Sequence, residues 1–382
     1  MRPVGSARIV WRAVSPAHPP SRTEGHADGT GGLARYHPDV VPGTPDPIDP
    51  TPLDALRRPL KDLRISVTDR CNFRCRYCMP REVFGSSFRF LERTELLTFE
   101  EIGRLAGILV GLGVREMRLT GGEPLVRRDL PLLVRRLAAI PGIQDLALTT
   151  NGVLLTKLAE PLYEAGLRRI NVHLDTLDRE RFLQITRRDE IGKVLAGLEL
   201  CKKLGYSKIK LNAVAVKNLV EPDIVPLARF ARENGFEVRY IEFMPLDAQN
   251  LWDRGKVLLA GDMIATLSRE IAPLVPVPDP DPRAPASEYD FADGIGRVGF
   301  IASVSRPFCL NCNRLRLTAD GHLRYCLFAV EEDDVKTLLR SSASDDDIAT
   351  LIRRNVNAKW AGHEINTSKF VAPPRPMYAI GG

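Results

Sequence analysis

No window of the 382-residue sequence approaches the roughly 18 unbroken apolar residues of a membrane-spanning helix, which argues against a membrane partner. Cysteine is scarce, with seven residues in all, far too few for a disulfide-built secreted fold. Charge is nearly balanced, 54 basic residues against 48 acidic for a net +6, too mild to predict nucleic-acid binding. No G-x-x-x-x-G-K-[ST] loop is present, which argues against ordinary nucleotide hydrolysis. Internal repeats and coiled-coil heptads are missing too. What the chain does have is 44% hydrophobic residues, enough for a large buried core.

Residues 1–59 differ from the rest. They hold 11 of the 29 prolines, and the first 22 residues carry four arginines and no acid. The acid-free start has a faint transit-peptide character, but the apolar run of a secretory signal is missing. The composition predicts a disordered extension.

Beyond residue 60, β-type runs alternate with amphipathic ones. Strands are expected at 63–68, 116–120, 145–149, 169–174, 208–216 and 237–243. Helices are expected at 99–112, 130–140, 154–165, 179–187 with 191–204, and 223–234. Such alternation is the grammar of a parallel α/β sheet. Within the strands one face is repeatedly polar: Arg64, Ser66 and Thr68 oppose Leu63, Ile65 and Val67, and Asn171 and His173 oppose Ile170 and Val172. An open parallel sheet buried on both faces would be apolar on both, and a closed eight-stranded barrel fills its interior with branched apolar residues. The pattern predicts an incomplete, partial TIM-type barrel of about six βα units around a wet cavity. Six prolines within 273–285 mark a connector. A C-terminal α+β extension should follow, with a β-run at 297–303, a hairpin over 314–318 and 322–327 turned at Asp320-Gly321, helices near 331–340 and 344–358, and an irregular end. The acidic run Glu331-Glu-Asp-Asp334 is expected to open the first of these helices, where the dipole favours it. The domains expected are the extension 1–59, the barrel 60–272 and the C-terminal region 273–382.

Cys71-Asn-Phe-Arg-Cys75-Arg-Tyr-Cys78 follows the first strand. Three thiolates on one short loop fit a closed four-ligand zinc site poorly. They suit an iron–sulfur cluster with one iron left open. A second set, Cys309, Cys312 and Cys326, lies by the hairpin. It reads as another cluster, or as a zinc knuckle with His322 as fourth ligand. Clusters of this kind belong to a reducing cytosol. Cys201 sits alone in a helical stretch and reads as a small buried hydrophobe. Arg64, Arg118 and Lys210, on inward faces of three strands, would suit a polyphosphate. Gly294-Ile-Gly-Arg-Val-Gly299 satisfies G-x-G-x-x-G but leads into β-type sequence, so it is a chance match.

C-x3-C-x2-C with an aromatic before the last cysteine resembles the radical S-adenosylmethionine (SAM) superfamily. Thr120-Gly-Gly-Glu-Pro124 matches its glycine-rich motif. With the second cysteine set, Asp175-Thr-Leu-Asp178, Ile241-Glu-Phe-Met-Pro245, Arg314-Leu-Arg316 and the final Gly381-Gly382, the sequence from about residue 60 onward is similar to the GTP 3′,8-cyclase family. The resemblance implies two [4Fe-4S] clusters, one on Cys71, Cys75 and Cys78 with SAM, the other on Cys309, Cys312 and Cys326 with substrate. It implies SAM contacts from Tyr77, Gly122 and Met244, and from His173, which stands where the family often has Ser. It implies GTP contacts from Arg64, Arg118, Thr149, Lys210, Arg314 and Arg316, and a supporting tail in Gly381 and Gly382. The implied reaction cleaves SAM to a 5′-deoxyadenosyl radical that takes the 3′ hydrogen of GTP. It gives (8S)-3′,8-cyclo-7,8-dihydroguanosine 5′-triphosphate, the first step of molybdenum cofactor biosynthesis. The partners implied are GTP, an electron donor of flavodoxin or ferredoxin type, a downstream cyclic pyranopterin monophosphate synthase, and room for a homodimer. The rival readings are another radical SAM enzyme with an auxiliary cluster acting on a peptide, and a zinc-stabilised binding module.

Overall fold

The alternation of strands and helices builds a twelve-stranded sheet, seen in a computed structural model that describes residues 51–247 and 252–381. The expectations for 1–50 and for Gly382 lie outside the described residues. β1 (Asp62–Ser66), β2 (Glu116–Thr120), β3 (Asp145–Thr150), β4 (Arg169–His173), β5 (Lys208–Ala215) and β6 (Glu237–Glu242) run side by side, parallel and in chain order. The helices α1 (Phe99–Gly111), α2 (Leu130–Ala138), α3 (Leu155–Glu164), α4 (Arg179–Thr186), α5 (Ile191–Lys203) and α6 (Ile224–Asn234) fall between them. Local chemistry sets their starts. At α1 the Thr98 hydroxyl accepts from the Glu101 amide at 3.1 Å, and Glu101 returns the bond to the Thr98 amide at 2.7 Å. This reciprocal cap satisfies two otherwise orphaned donors. Leu63 and Ile65 of β1 are fully buried in one apolar core with Ile102, Leu105 and Leu109 of α1.

The C-terminal region does not hang from one end of this sheet. After α7 (Ala260–Glu270) come β7 (Leu274–Pro276), β8 (Ser287–Phe291) and β9 (Arg297–Ile301), and β9 pairs parallel with β6. The expected hairpin is present as β10 (Arg314–Leu317) and β11 (His322–Arg324), followed by β12 (Asp333–Asp334). β10 also pairs parallel with β1, on the opposite edge from β9. Eight parallel strands result, β10-β1-β2-β3-β4-β5-β6-β9, and the terminal β12 and β7 do not meet. The architecture is an incomplete, barrel-like α/β sheet. Pro276 sits on the edge strand β7, where a missing amide costs no ladder bond.

Three expectations need correction. Residues 51–59 were expected to be disordered, but Leu53 bridges to Pro59 and Arg58 is buried among carbonyls of the C-terminal region. The acidic run lies ahead of its helix, and only Asp334 serves the helix start, its carboxylate accepting from the Thr337 amide at 3.0 Å. Asp333 and Asp334 form β12, Glu332 pairs with Arg324 and Arg375, and the helix there is only α8 (Lys336–Leu339), followed by α9 (Asp345–Asn357). The end of the chain folds into a short helix, α10 (Met377–Ile380), with Ile380 fully buried beside Leu246, Val304 and Phe328.

Candidate active site

The polar faces of the strands converge on a cavity of about 310 Å³, within the range of small-molecule sites. Arg64 of β1, Arg118 of β2, Thr149 of β3, His173 of β4, Asn212 of β5 and Arg239 of β6 all reach its wall. All six clustered cysteines line it as well. Cys201 lies apart, fully buried in α5.

Cys71, Cys75 and Cys78 occupy the loop after β1. The Cys75 carbonyl accepts from the amides of Cys78 at 3.0 Å and Met79 at 2.9 Å, which curls the loop. Burial, then nearby negative charge, pushes the thiols of Cys71 and Cys78 up to about 12 and holds Cys75 well above the ordinary thiol range. The second triad differs. Burial also raises Cys309 and Cys326. At Cys312 burial opposes ionisation, yet Lys359 and Arg314 draw the thiol below its ordinary value. Among the described residues no three His, Cys, Asp or Glu side chains are arranged to hold a single metal ion. Each triad offers three thiols, one short of a closed four-ligand zinc set. His322 does not complete a zinc set: its Nδ1 faces Asp320 at 3.3 Å and Arg375 at 3.4 Å.

Register places three guanidinium-bearing residues in one row: Arg316 of β10 opposite Arg64 of β1, and Arg64 opposite Arg118 of β2. Like charges directly opposite destabilise a sheet. Burial, Arg118 and Arg316 hold Arg64 well below the usual arginine range, and burial and Arg314 bring Arg316 down to about 10. Among the described residues nothing accepts from the buried Nε of Arg64 or Arg118. An anion against the row would relieve that repulsion. A polyphosphate meets that need, since guanidinium forks bind phosphate oxygens bidentately.

Lys210 is different. Among the described residues it is absent from the cavity wall, and its Nζ is held by Glu237 at 2.7 Å and Glu288 at 3.5 Å. Arg239, which sequence reasoning missed, does reach the cavity and shares both carboxylates at 2.6 Å. The signal was available: in β6, Arg239 alternates with the buried Val238 and Tyr240. Arg118→Ala should therefore weaken a triphosphate ligand by ~10- to 100-fold, the loss of one charge-assisted bond, with SAM affinity little changed. Lys210→Ala should instead lower stability by about 1–3 kcal/mol, because it strips a partner from two half-buried carboxylates. Calorimetric titration with each ligand, beside thermal melts, separates the two.

The Tyr77 hydroxyl bonds the Asp175 carboxylate and lies 2.6 Å from Nε2 of His173. Asp175 also accepts from the Val214 amide at 2.8 Å. Burial works against protonation of His173, but Asp175 outweighs it and raises the imidazole above its ordinary value. His173 thus pins the aromatic of the cysteine loop to β4. Met244 lies in the same wall. Gly122 is required by the chain itself: a Cβ there would lie 2.4 Å from the Arg70 carbonyl oxygen. The glycine therefore lets the loops after β1 and β2 touch, as well as facing the cavity.

The tail reaches this site. Arg316 Nη1 donates to the Gly381 carbonyl at 2.5 Å. Gly381 has φ +71°, and a Cβ would meet Thr120 Cγ2 at 2.8 Å and Ser66 Cβ at 3.2 Å. Tyr378 packs on Phe84 with ring centroids 4.7 Å apart. Arg314, by contrast, gives Nη2 to the Arg283 carbonyl at 2.8 Å while lining the cavity.

Residues 65–231 match the family model described as Radical SAM superfamily, and residues 236–365 match Molybdenum Cofactor Synthesis C. The chain is 48% identical over 309 residues to a GTP 3′,8-cyclase of Acidothermus cellulolyticus, covering 81% of this chain and 85% of the relative. The chain belongs to the GTP 3′,8-cyclase family. A GTP 3′,8-cyclase of Rhodopirellula baltica is 48% identical over 339 residues, 87% of this chain and 93% of that one. GTP 3′,8-cyclase 2 of Mycobacterium tuberculosis is 46% identical over 367 residues, covering 95% and 97%. The Streptococcus suis SuiB structure with bound S-adenosylmethionine matches in fold at a TM-score of 0.55 and 15% identity, over 77% of this chain and 68% of SuiB. Membership of the radical SAM superfamily implies a [4Fe-4S] cluster and SAM, and the loop triad offers the three thiols such a cluster takes.

Proposed function

We propose that this protein cyclises GTP to (8S)-3′,8-cyclo-7,8-dihydroguanosine 5′-triphosphate, using SAM, as the first step of molybdenum cofactor biosynthesis. The observation that carries the reading is one cavity lined by two thiol triads and by a row of arginines on adjacent strands, Arg316 buried and Arg64 and Arg118 half-buried. Cys71, Cys75 and Cys78 would hold the first [4Fe-4S] cluster, and Cys309, Cys312 and Cys326 a second one that anchors the guanine. When bound, the first cluster supplies the electron that cleaves SAM to methionine and a 5′-deoxyadenosyl radical. The chain's own residues orient and enclose. Tyr77, tied to His173 and Asp175, together with Gly122 and Met244, frames the SAM side of the cavity. Arg64, Arg118 and Arg316 neutralise the triphosphate, with Arg239, Thr149 and Arg314 beside them. Fixing both molecules in one cavity sets the distance between the radical carbon and C3′ of the ribose, the kind of positioning that lowers a barrier. The electron would come from a flavodoxin- or ferredoxin-type donor, and a cyclic pyranopterin monophosphate synthase would consume the product. The arginine row favours a polyphosphate over a peptide, so the peptide-modifying reading gains no support from the site.

Cys309→Ala should lose about half of the roughly eight iron expected for two cubanes and form no cyclised product. It should still release 5′-deoxyadenosine slowly from the intact first site. Iron and sulfide assays with product chromatography under anaerobic conditions read all three. Undiminished cyclised product from this variant would contradict a substrate role for the second triad.

A further inference from the structure

The segment before β1 ends in a buried ion pair that touches the second cysteine triad. Asp54 is fully buried and Arg58 is 5% exposed; Arg58 Nε meets Asp54 Oδ2 at 2.6 Å. The far side of the guanidinium points away from this segment. Nη1 donates to the Cys309 carbonyl at 2.6 Å and the Ala361 carbonyl at 3.3 Å. Nη2 donates to the Trp360 carbonyl at 2.5 Å and the Lys359 carbonyl at 3.4 Å. Lys359 completes the arrangement from the other side, its Nζ donating to the Cys312 carbonyl at 2.7 Å and the Arg314 carbonyl at 2.8 Å. The carbonyls of two of the three cysteines are thus each held by a cation. Gly362 follows in the same strap, where a Cβ would lie 3.1 Å from the Cys309 Cβ.

We infer that Arg58, oriented by Asp54, and Lys359 are positioning residues for the second cluster. They lock the Cys309–Cys312 turn and the 359–362 strap into the spacing the triad needs, and they place two positive charges behind thiols that lose their protons to become thiolates on binding iron. The burial supports a role beyond tethering. A guanidinium taken out of water is costly unless nearly all its donors are met, and here its donors meet one carboxylate and four carbonyls. A surface tether would need none of this. The ordered segment 51–60, upstream of the barrel, therefore belongs to the second site, although its proline-rich composition gives no hint of it.

The inference rests on the reading that the second triad holds a cluster. Full-length wild type, Arg58→Met, Arg58→Lys and Lys359→Met should be prepared and reconstituted anaerobically. They are then compared by iron and sulfide content and by electron paramagnetic resonance (EPR) with and without SAM. The expected wild-type value is about eight iron per chain. Arg58→Met should fall to about four and keep the SAM-dependent change in the first cluster's signal, while Arg58→Lys recovers part of the lost iron. Arg58→Met with wild-type iron and an unchanged second-cluster signal overturns the inference. So does loss of both clusters from folded protein, since Arg58 would then support the whole fold. If Arg58→Met does not fold, Lys359→Met decides: a second cluster lost, or shifted in signal, supports the inference, and wild-type iron and signal overturn it. Wild type with only about four iron, unchanged in Cys309→Ala, would instead refute the second-cluster reading itself.

Discussion

Cys75→Ser protein should release no 5′-deoxyadenosine from SAM above the protein-free background, with or without GTP. The loop after β1 offers three thiols and no spare, and thiolate ligation is a cluster's covalent tie to its protein. Cys75 is the central one. It is buried, its carbonyl organises the turn through the Cys78 and Met79 amides, and Cys71 and Cys78 both press on its charge. A serine keeps the loop's shape but offers an oxygen in place of sulfur, so the fold should survive while the first cluster's iron is lost. Circular dichroism and a retained second-cluster signal would show that survival. Normal 5′-deoxyadenosine release from this variant would remove the loop triad from the chemistry.

The second large effect is expected at the tail. Deleting Gly381 and Gly382 should leave iron content and GTP affinity nearly intact and cut cyclisation by roughly 100-fold, the scale of a small misplacement of reacting groups. The Gly381 carbonyl takes a bond from Arg316, in the row of cations, and its backbone lies against Ser66 and Thr120 at the ends of β1 and β2. Without it Arg316 loses an acceptor. Gly381→Ala tests the same point more finely. At φ +71° with Thr120 Cγ2 only 2.8 Å from the new Cβ, alanine is strained by about 1–2 kcal/mol before any clash is counted. A peptide of the last residues, added in trans, should restore part of the activity of the truncated protein, because only the covalent link has been lost. Full-rate cyclisation by the truncated protein would make the tail dispensable.

The six central strands and their polar inward face were legible because both signals are local: a period of two within each strand, and helices between them. The cysteine loop was legible for the same reason, its spacing being a property of eight consecutive residues. What could not be read depends on partners far along the chain. β10 pairs with β1 and β9 with β6, and no pattern within β9 or β10 names the strand it will meet. Lys210 shows the limit of face assignment. Alternation put it inward, but Glu237 from β6 and Glu288 from β8 arrive to hold it. Arg58 is the extreme case, since its Cys309 partner lies 251 residues away and its own surroundings read as a proline-rich extension.

The central claim is that a radical made from SAM in this cavity takes its hydrogen from C3′ of GTP. GTP deuterated at C3′, incubated anaerobically with the reconstituted protein, SAM and dithionite, tests this directly by mass spectrometry of both products. The account predicts that deuterium moves into 5′-deoxyadenosine and is missing from the cyclised triphosphate. Unlabelled 5′-deoxyadenosine, formed alongside a triphosphate that keeps its deuterium, would contradict it.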